Sequence, residues 1–325
     1  MCTEDKCNSS QHLQLVQSTS AGLNLSMAIT QIFIWPLIYI NILMLLTFSR
    51  KQAFRTETRY ILFAHTLFVD LIFLTLTDIV VILSYTYVLM PVAFCIPFCM
   101  LMETLTTCTP LTITAMCVER YVAICMPLRH SAISTVSRTL TAIFIIWIIG
   151  SLKSFVDMFI LVTTASKEYL SQFTFCHYEI MIPENWHRLM RGALYIINFI
   201  IVLLVELFCY VMIMISARAA SVDKKSAAKG LRTVLLHMLQ LTLCTTEIIC
   251  PYIEALIMEL DIQIYLSVRF FNFIMFTVIA KGVSPLVYGL RDEKFYHTLH
   301  CYIKCRQNHI SCESRVPVAK QNNKQ

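Results

Sequence analysis

The most distinctive chemistry in this sequence belongs to Glu119 and Arg120, which precede Tyr121 at the end of a long apolar run. Arginine stays protonated in proteins, so Arg120 needs an anion, a hydrogen-bond acceptor or water beside it. A contact that satisfies Arg120 in one arrangement of helices and releases it in another could act as a switch. An arginine that extends toward lipid headgroups would give the same local pattern, and spacing alone does not separate the two.

Other ionisable residues lie inside apolar runs, where charge is costly and each one is a functional candidate by default. Glu103 could anchor a cationic ligand through a charge-assisted hydrogen bond, or it could pair with a neighbouring helix. Lys153 and Asp157 lie four residues apart, which predicts an ion pair on one helix face. Further members of this group include Asp70, Glu206, Glu247 and Lys281.

The composition indicates which kind of element positions these residues. Of 325 residues, 57% are hydrophobic and 14% are charged, and only 6 are glycine. Soluble domains carry about 25% charged residues, because they need polar surface to cover a core. The sequence also has no Walker loop, no His-Glu-x-x-His and no zinc-like Cys/His spacing. We therefore expect a membrane protein that is not an enzyme and has no metal or cofactor.

Seven stretches are long enough to cross a bilayer, for which a helix needs about 20 apolar residues. This pattern predicts an all-α membrane protein, a bundle of seven transmembrane helices. An odd number of spans without evident duplication disfavours an inverted-repeat transporter. The predicted spans are Met27–Phe48, Tyr60–Ser84, Cys95–Val122, Leu140–Val162, Gly192–Ile215, Leu231–Leu256 and Ile262–Gly289.

The basic residues predict how these spans are oriented. Most of the 26 Lys and Arg residues fall on one side, which places that side in the cytoplasm. The N-terminal tail then lies outside, where it carries glycosylation sequons at Asn8 and Asn24. It lacks a basic segment followed by an apolar core, so no cleaved signal peptide is expected. We expect an extracellular glycosylated tail (1–26), a membrane domain (27–290) and a cytoplasmic helix and tail (291–325).

Three ordered motifs resemble those of one receptor family. The run Met116–Leu128 is similar to the Asp/Glu-Arg-Tyr region of rhodopsin-like G-protein-coupled receptors, in its odorant-receptor form. Lys229–His237 resembles the start of the sixth helix in odorant receptors, and Ser284–Asp292 resembles the end of the seventh. Two segments, Tyr60–His65 and Pro285–Glu293, look closest to a teleost odorant-receptor-like group.

The resemblance implies a cytoplasmic switch and a polar hub inside the bundle. The switch positions are Glu119, Arg120, Tyr121, Tyr210, His237, Pro285 and Tyr288. The hub positions are Asn41, Asp70, Thr109 and Ser284, the last replacing the usual asparagine. In many family members the hub binds sodium. Our hypothesis is that Lys281 pairs with Asp70 in place of that ion, the alternative being that Lys281 bonds a backbone carbonyl or a trapped water.

The resemblance also implies a ligand site in the outer third of the bundle. Amine receptors usually carry an acid where this chain has Met102, which lowers the expectation of a biogenic amine. The implied ligand positions are Cys99, Met102, Glu103, Thr106, Tyr195, Asn198, Thr245, Thr246, Ile249, Tyr252, Phe273 and Thr277. Above them, the family position favours a disulfide between Cys95 and Cys176, with Cys99 as a rival one helical turn away.

The cytoplasmic end has a predicted amphipathic eighth helix, Asp292–Ile303. Phe295, Leu299 and Tyr302 share one face of it at helical spacing. Cys301 and Cys305 lie beside basic residues, so both palmitoylated and unmodified thiols are open alternatives there.

Taken with the resemblance, the sequence predicts a plasma-membrane receptor that binds a small odorant outside the cell. It is then expected to activate a heterotrimeric G protein, of the stimulatory olfactory type that raises cAMP. The basic residues are explained by the cytoplasmic side of a bilayer, so nucleic acid is not an expected partner. The alternatives are a rhodopsin-like receptor for a peptide or lipid, and a membrane transporter.

Overall fold

The computed structural model describes most of the first two thirds of the chain and part of the remainder. The described residues are 4–182, 184–219, 235, 239, 242–243, 246, 249–250, 253–254, 257, 262–282, 295 and 298–300. Ten positions singled out in the sequence lie outside them: His237, Thr245, Glu247, Tyr252, Ser284, Pro285, Tyr288, Cys301, Tyr302 and Cys305. The side chain of Asn8 is outside them as well.

The described chain is almost entirely helical. Its α-helices are α1 (Glu4–Arg50), α2 (Gln52–Arg55), α3 (Thr58–Tyr85), α4 (Val92–Cys125), α5 (Pro127–Ile133), α6 (Val136–Thr164), α7 (Lys167–Ser171), α8 (Asn185–Ala219) and α9 (Ile262–Asn272). A 3₁₀ turn covers Tyr178–Met181, and a π-helical segment, Phe273–Ile279, continues α9. Two short strands, β1 (Met90–Pro91) and β2 (Phe173–Thr174), pair antiparallel.

Five of the described helices are long and apolar enough to cross a membrane. They are Asn24–Arg50 within α1, the whole of α3, α4 and α6, and Trp186–Ser216 within α8. Each contains or closely overlaps one of the first five predicted spans. The predicted sixth span falls mainly outside the described residues, and the seventh is described as far as Gly282.

Helix α4 lies at the centre of the described bundle and packs against α3, α6 and α8. Its many threonines do not leave polar atoms unsatisfied in this apolar setting, because their hydroxyls donate to carbonyls one turn earlier. Thr104, Thr107 and Thr112 do so at 2.8, 3.1 and 2.7 Å. Within a membrane such internal bonding replaces the missing water.

A glycine allows the close approach of α4 and α6. A Cβ atom at Gly150 would lie 3.1 Å from Cys108 Sγ and 3.2 Å from the Thr104 carbonyl oxygen. One turn later, the hydroxyls of Thr104 and Ser154 are 3.2 Å apart. The absent side chain at Gly150 therefore brings the two helices close enough for a direct polar contact.

Helices α4 and α8 run parallel with a nearly constant residue offset. Glu103 contacts Tyr195, and Thr114 contacts Glu206, each pair being 92 residues apart in sequence. Near the other end, Ser216 contacts Cys125, a separation of 91 residues. We call this line of contacts the α4–α8 seam; it connects one end of the bundle to the other.

At the end of the bundle that the basic residues predict to face outside, which we call the outer end, the loop after α6 is fixed against the start of α4. A disulfide joins Cys95 to Cys176 with a Cα–Cα distance of 5.4 Å, so this predicted pairing is confirmed and the rival Cys99 remains a free thiol. The Tyr169 hydroxyl donates to the Ile180 carbonyl at 2.7 Å, and burial raises the pKa of that phenol.

At the inner end, an aromatic cluster joins the short helix α2 to the predicted eighth helix. Phe295 is fully buried and lies 5.3 Å, centroid to centroid, from Phe54 and 5.6 Å from Phe63. Leu299 is buried in the same cluster, so two of the three predicted face residues pack on the bundle. The third, Tyr302, is outside the described residues.

Candidate ligand and signalling sites

A group of charged and polar side chains joins three helices near the outer end of the bundle. We call it the outer ion network. Helix α4 contributes one acid, α6 contributes a base and an acid, and α8 contributes three residues along one face. Its members are Glu103, Lys153, Asp157, His187, Arg191 and Tyr195.

The two carboxylates of the network are each held from two directions. Lys153 Nζ lies 2.9 Å from Glu103 Oε1, and Arg191 donates a hydrogen bond to the other oxygen. Arg191 Nη1 also lies 3.2 Å from Asp157 Oδ2, while His187 Nε2 lies 2.8 Å from Asp157 Oδ1. Arg191 is therefore the bridge between the two acids.

Tyr195 completes the network from one turn further along α8. Its hydroxyl donates to Glu103 and accepts a hydrogen bond from Arg191 at 2.9 Å. The ammonium of Lys153 lies over its ring, where the negative face of an aromatic system attracts a cation.

Charge balance and burial explain why the network is tightly connected. Two strong bases face two acids, and all four side chains are buried or nearly so. A buried ion is tolerated only when its partners and hydrogen bonds offset the loss of hydration. Glu103 thus has internal partners in this structure, the second of the two alternatives that its sequence position left open.

Two members of this network were not predicted from the sequence. Arg191 was counted among outer-loop basic residues, and His187 was not selected at all. The available signal was the four-residue spacing of His187, Arg191 and Tyr195, which places them on one face of α8. The same spacing relates Lys153 and Asp157, whose charges complement that face.

The other predicted ligand positions are distributed over several parts of the bundle. Cys99 is buried under the outer loop, with Sγ 3.6 Å from the His177 carbonyl oxygen. Met102 packs on an apolar cluster between α3, α4 and α6, and Phe273 on another between α1, α3 and the π segment. The hydroxyls of Thr106 and Thr246 donate to the carbonyls of Met102 and Thr242, each four residues earlier in the chain. Asn198 and Thr277 are half-buried, and Ile249 is exposed.

A second charged group lies where α3, α4 and the segment after α9 meet. Lys281 Nζ is 3.5 Å from Asp70 Oδ1 and donates to Thr109 Oγ1 at 2.8 Å. The Thr109 hydroxyl is itself 3.3 Å from Asp70 Oδ1, so the three side chains form a closed triangle. All three are almost completely buried.

The π segment directly precedes this triangle. A π-helix adds an extra residue per turn relative to the α-helix and rotates the residues after it, and such segments often occur at functional sites. Gly282, the next residue after Lys281, approaches Leu37 so closely that a Cβ would lie 2.5 Å from Leu37 Cδ2. Asn41, predicted to belong to the hub, is buried and donates to the Leu37 carbonyl at 2.9 Å.

A neutral hydrogen-bond chain crosses from α6 through α3 to α4. The indole of Trp147 donates to His65 Nε2 at 2.9 Å, so that nitrogen is an acceptor and the proton resides on Nδ1. His65 Nδ1 then donates to Thr112 Oγ1 at 3.1 Å, and Thr112 donates to the Cys108 carbonyl at 2.7 Å. This chain was also missed in the sequence, because each residue belongs to a different run.

At the inner end of α4, the acid of the Glu119-Arg120 pair has partners from neighbouring segments. Glu119 Oε1 lies 3.3 Å from His130 Nε2 in α5 and 3.5 Å from the Thr58 hydroxyl in α3. Glu119 Oε2 lies 3.9 Å from Arg120 Nε. These contacts tie the acid to the bundle on the side of α3 and α5.

The aromatic residue of the same motif contacts α8. The ring of Tyr121 packs edge-on against Phe208, with 5.5 Å between the ring centroids. Tyr210 is half-buried two residues further along α8. Of the predicted switch residues, Tyr121 therefore contributes to the inner end of the α4–α8 seam.

The same inner half contains a buried acid of a different kind. Glu206 is fully buried on the α4–α8 seam, and its nearest described partner is the Thr114 hydroxyl at 3.5 Å. It forms no ion pair within the part of the chain that the structure describes.

The sequence that forms this bundle is similar to known proteins over most of its length. Residues 40–288 match the family described as 7 transmembrane receptor (rhodopsin family). The chain belongs to this family. The predicted seven-helix bundle and the predicted membership are thereby confirmed, and the protein is a multi-pass membrane receptor of a class that does not consist of enzymes.

Individual relatives in the rhodopsin family differ in how much of the chain they match. Odorant receptor 131-2 of Danio rerio is 40% identical over 276 residues, which is 85% of each chain. Growth hormone secretagogue receptor type 1 of Homo sapiens is 38% identical over 111 residues, or 34% of this chain and 30% of that receptor. Olfactory receptor 5H19 of Mus musculus is 24% identical over 208 residues, 59% of this chain and 62% of its own.

Proposed function

We propose that this rhodopsin-family receptor detects a small extracellular odorant and activates a heterotrimeric G protein, raising cAMP through the stimulatory olfactory type. The observation that carries the proposal is the similarity to Odorant receptor 131-2 over 85% of both chains. A shared length of this extent includes the outer ends, where ligands bind, as well as the inner ends.

The arrangement of the α4–α8 seam supports a route from ligand to G protein. Ligand binds near Glu103 and Tyr195 at the outer end, among the other positions implied for the ligand site. A ligand shifts the equilibrium between helix arrangements only by binding one of them more tightly. Arg120 and Tyr210 are the inner residues of these same two helices, so a changed outer contact alters the surface offered to the G protein.

We further propose a plasma-membrane location with the N-terminus outside and the boundaries 1–26, 27–290 and 291–325. The distribution of basic residues supports this orientation. In it Asn8 and Asn24 are accessible to glycosylation, while Cys301 and Cys305 are accessible to palmitoylation beside the bilayer.

The test is a cAMP assay in cells that express the receptor, with a panel of water-soluble odorants. We expect agonist to raise cAMP in the wild type. Arg120→Ala should abolish this rise, because the substitution removes the guanidinium of the proposed switch. Arg129→Ala is the matched control, since Arg129 is an exposed arginine of α5 in the same region and should leave the response intact. A response equal in wild type and Arg120→Ala would contradict the proposed switch.

A second candidate is a receptor for a peptide. The partial match to growth hormone secretagogue receptor type 1 supports it, although that match covers only 34% of the chain. A G-protein response to peptide fractions, with no response to any small odorant, would favour this alternative.

A further inference from the structure

We propose that a groove on the inner half of α6 binds an anionic phospholipid of the cytoplasmic leaflet, with the phosphate on Arg138 and an acyl chain over Leu140 and Phe144. The inference goes beyond the proposed function, and it rests on the membrane-spanning bundle and the orientation proposed for it. The groove and the arginine are two separate observations that meet at the start of one helix.

The groove follows one face of α6. Its volume is about 630 Å³, and the described residues that line it are Val136, Ser137, Leu140, Thr141 and Phe144. Pockets of about 300–1,000 Å³ hold small organic ligands. Leu140 and Phe144 have 53% and 66% of their surface exposed, so the groove has an open apolar floor. It extends about 12 Å from the cytoplasmic start of α6, which is the direction in which a lipid chain enters the bilayer.

Arg138 lies at the inner end of this groove, directly after Ser137 in the chain. Its Nη1 donates to the carbonyl oxygens of Ala132 and Ile133 at 2.8 and 3.4 Å, which fixes the guanidinium against the end of α5. The side chain is exposed, and among the described residues its Nη2 and Nε have no hydrogen-bond partner. A fixed guanidinium with two adjacent N–H groups to donate matches the paired oxygens of a phosphate.

The charge around Arg138 favours an anion. Residues 120–156 contain no Asp or Glu. Arg59 and Arg191 are each paired with a carboxylate, whereas Arg138 forms no ion pair within the part of the chain that the structure describes. The cytoplasmic leaflet contains phosphatidylserine and inositol lipids, which attract basic residues beside a membrane span. A phospholipid phosphate is thus an anion that is present at this depth.

The combination of groove and arginine distinguishes a phospholipid from other candidate ligands. A sterol offers one neutral hydroxyl, which would accept a single hydrogen bond and leave the charge of Arg138 unpaired. A soluble phosphate would satisfy Arg138 without using the groove. Both features are used together only when the phosphate and the apolar chain belong to one molecule.

The site is connected to the Glu119–Arg120 pair through α5. Arg138 holds the carbonyl end of α5, and His130 in the same short helix lies 3.3 Å from Glu119. A lipid bound at Arg138 therefore lies beside the segment that contacts the acid of the proposed switch.

The test is photo-labelling of the purified full-length receptor in nanodiscs of phosphatidylcholine. Each preparation contains the same small mole fraction of one probe with a diazirine in its apolar part: phosphatidylserine, phosphatidylcholine or cholesterol. Mass spectrometry then measures how much of the peptide that contains residues 136–144 is labelled. We expect phosphatidylserine to label this peptide about fivefold more than phosphatidylcholine does, the enrichment that one basic residue gives beside anionic lipid.

Arg138→Gln should reduce labelling by phosphatidylserine to the level of phosphatidylcholine. Arg138→Lys keeps the charge but loses the paired donors, so it should show an intermediate preference, and it covers the case in which Arg138→Gln does not fold. Arg129→Gln is the matched control, because Arg129 is an exposed arginine of the same cytoplasmic region, and it should be labelled as the wild type is.

The proposal is overturned if phosphatidylserine and phosphatidylcholine label the peptide equally, which would make the groove an unselective lipid contact. It is also overturned if cholesterol is the preferred probe, if the preference for phosphatidylserine survives Arg138→Gln, or if Arg129→Gln reduces that preference as much as Arg138→Gln does. Suppression of phosphatidylserine labelling by millimolar inorganic phosphate would instead assign Arg138 to a soluble anion.

Discussion

The two ends of the α4–α8 seam are held together in different ways. At the outer end, Glu103 is buried with two cations and a phenol around it. At the inner end, Glu206 is equally buried but meets only the hydroxyl of Thr114 among the described residues. Other inner contacts among the described residues include the Tyr121–Phe208 ring pair and the Ser216–Cys125 contact at 3.2 Å. Strong directional contacts thus fix the outer end, while the inner end can separate at lower cost.

The largest effect is expected when Arg191, the residue that bridges the two acids of the outer ion network, is replaced. Arg191→Met leaves Glu103 and Asp157 buried with fewer cations, and we expect it to lower the free energy of unfolding by about 3–5 kcal/mol. The measurement is the unfolding midpoint and the surface expression of the receptor. Arg188→Met, at an exposed site on the same helix, should change the stability by less than about 0.5 kcal/mol. Similar losses in both variants would show that the network is not what fixes the outer end.

The second test compares the two buried acids directly. Glu103→Gln removes a charge that Lys153 and Arg191 require, so we expect a loss of about 2–3 kcal/mol. Glu206→Gln should cost less than about 1 kcal/mol, because no ionic partner of Glu206 is lost within the described part of the chain and the amide has nearly the same shape as the carboxyl group. Thermal unfolding of the two purified variants gives the comparison. Equal losses would remove the distinction between the two ends.

The third test addresses the triangle of Asp70, Thr109 and Lys281, which lies between the two ends. In a double-mutant cycle with Asp70→Asn and Lys281→Met, we expect a coupling free energy of about 1–2 kcal/mol in stability. Agonist-induced cAMP in the same four proteins shows whether the pair also affects signalling. Additive effects in both measurements would reject the pairing as an energetic unit.

The smallest expected effect concerns the close approach of α4 and α6. Gly150→Ala places a methyl group 3.1 Å from Cys108 Sγ, so we expect a loss of about 1 kcal/mol from the displaced neighbour. Gly22→Ala is the control, because a Cβ at Gly22 meets nothing within 4 Å. A stable Gly150→Ala protein with an unchanged response to ligand would show that this contact has room to adjust.

Much of this fold could be predicted from the sequence, because apolar runs of sufficient length have few alternatives in a bilayer. The first five spans and the Cys95–Cys176 bond followed from run length and from family resemblance. The helix ends were less well predicted: α8 begins at Asn185 rather than Gly192, since His187 and Arg191 find partners inside the bundle. In a sequence, a polar first turn of a helix resembles a loop, because the residues that its side chains will contact are not yet known.

The candidate site was predictable only in part, for a similar reason. Glu103, Lys153 and Asp157 could be identified as buried charges, but their partners could not, because ion pairs between helices depend on rotation about the helix axes. Lys281 also follows the π segment, which rotates the residues after it. No residue type in Phe273–Ile279 predicts that change of helical period. Helical faces can therefore be derived from spacing, while the pairing of faces requires the assembled bundle.

The hydrogen bond from Trp147 to His65 has a practical consequence. The chain has 3 tryptophans, and two of them, Trp35 and Trp186, have more than half of their surface exposed. Trp147 alone has its indole nitrogen bonded to an imidazole, at the junction of three helices. We expect the emission of this intrinsic fluorophore to change with the distance between α3 and α6, so a ligand that moves these helices could be followed optically without any attached label.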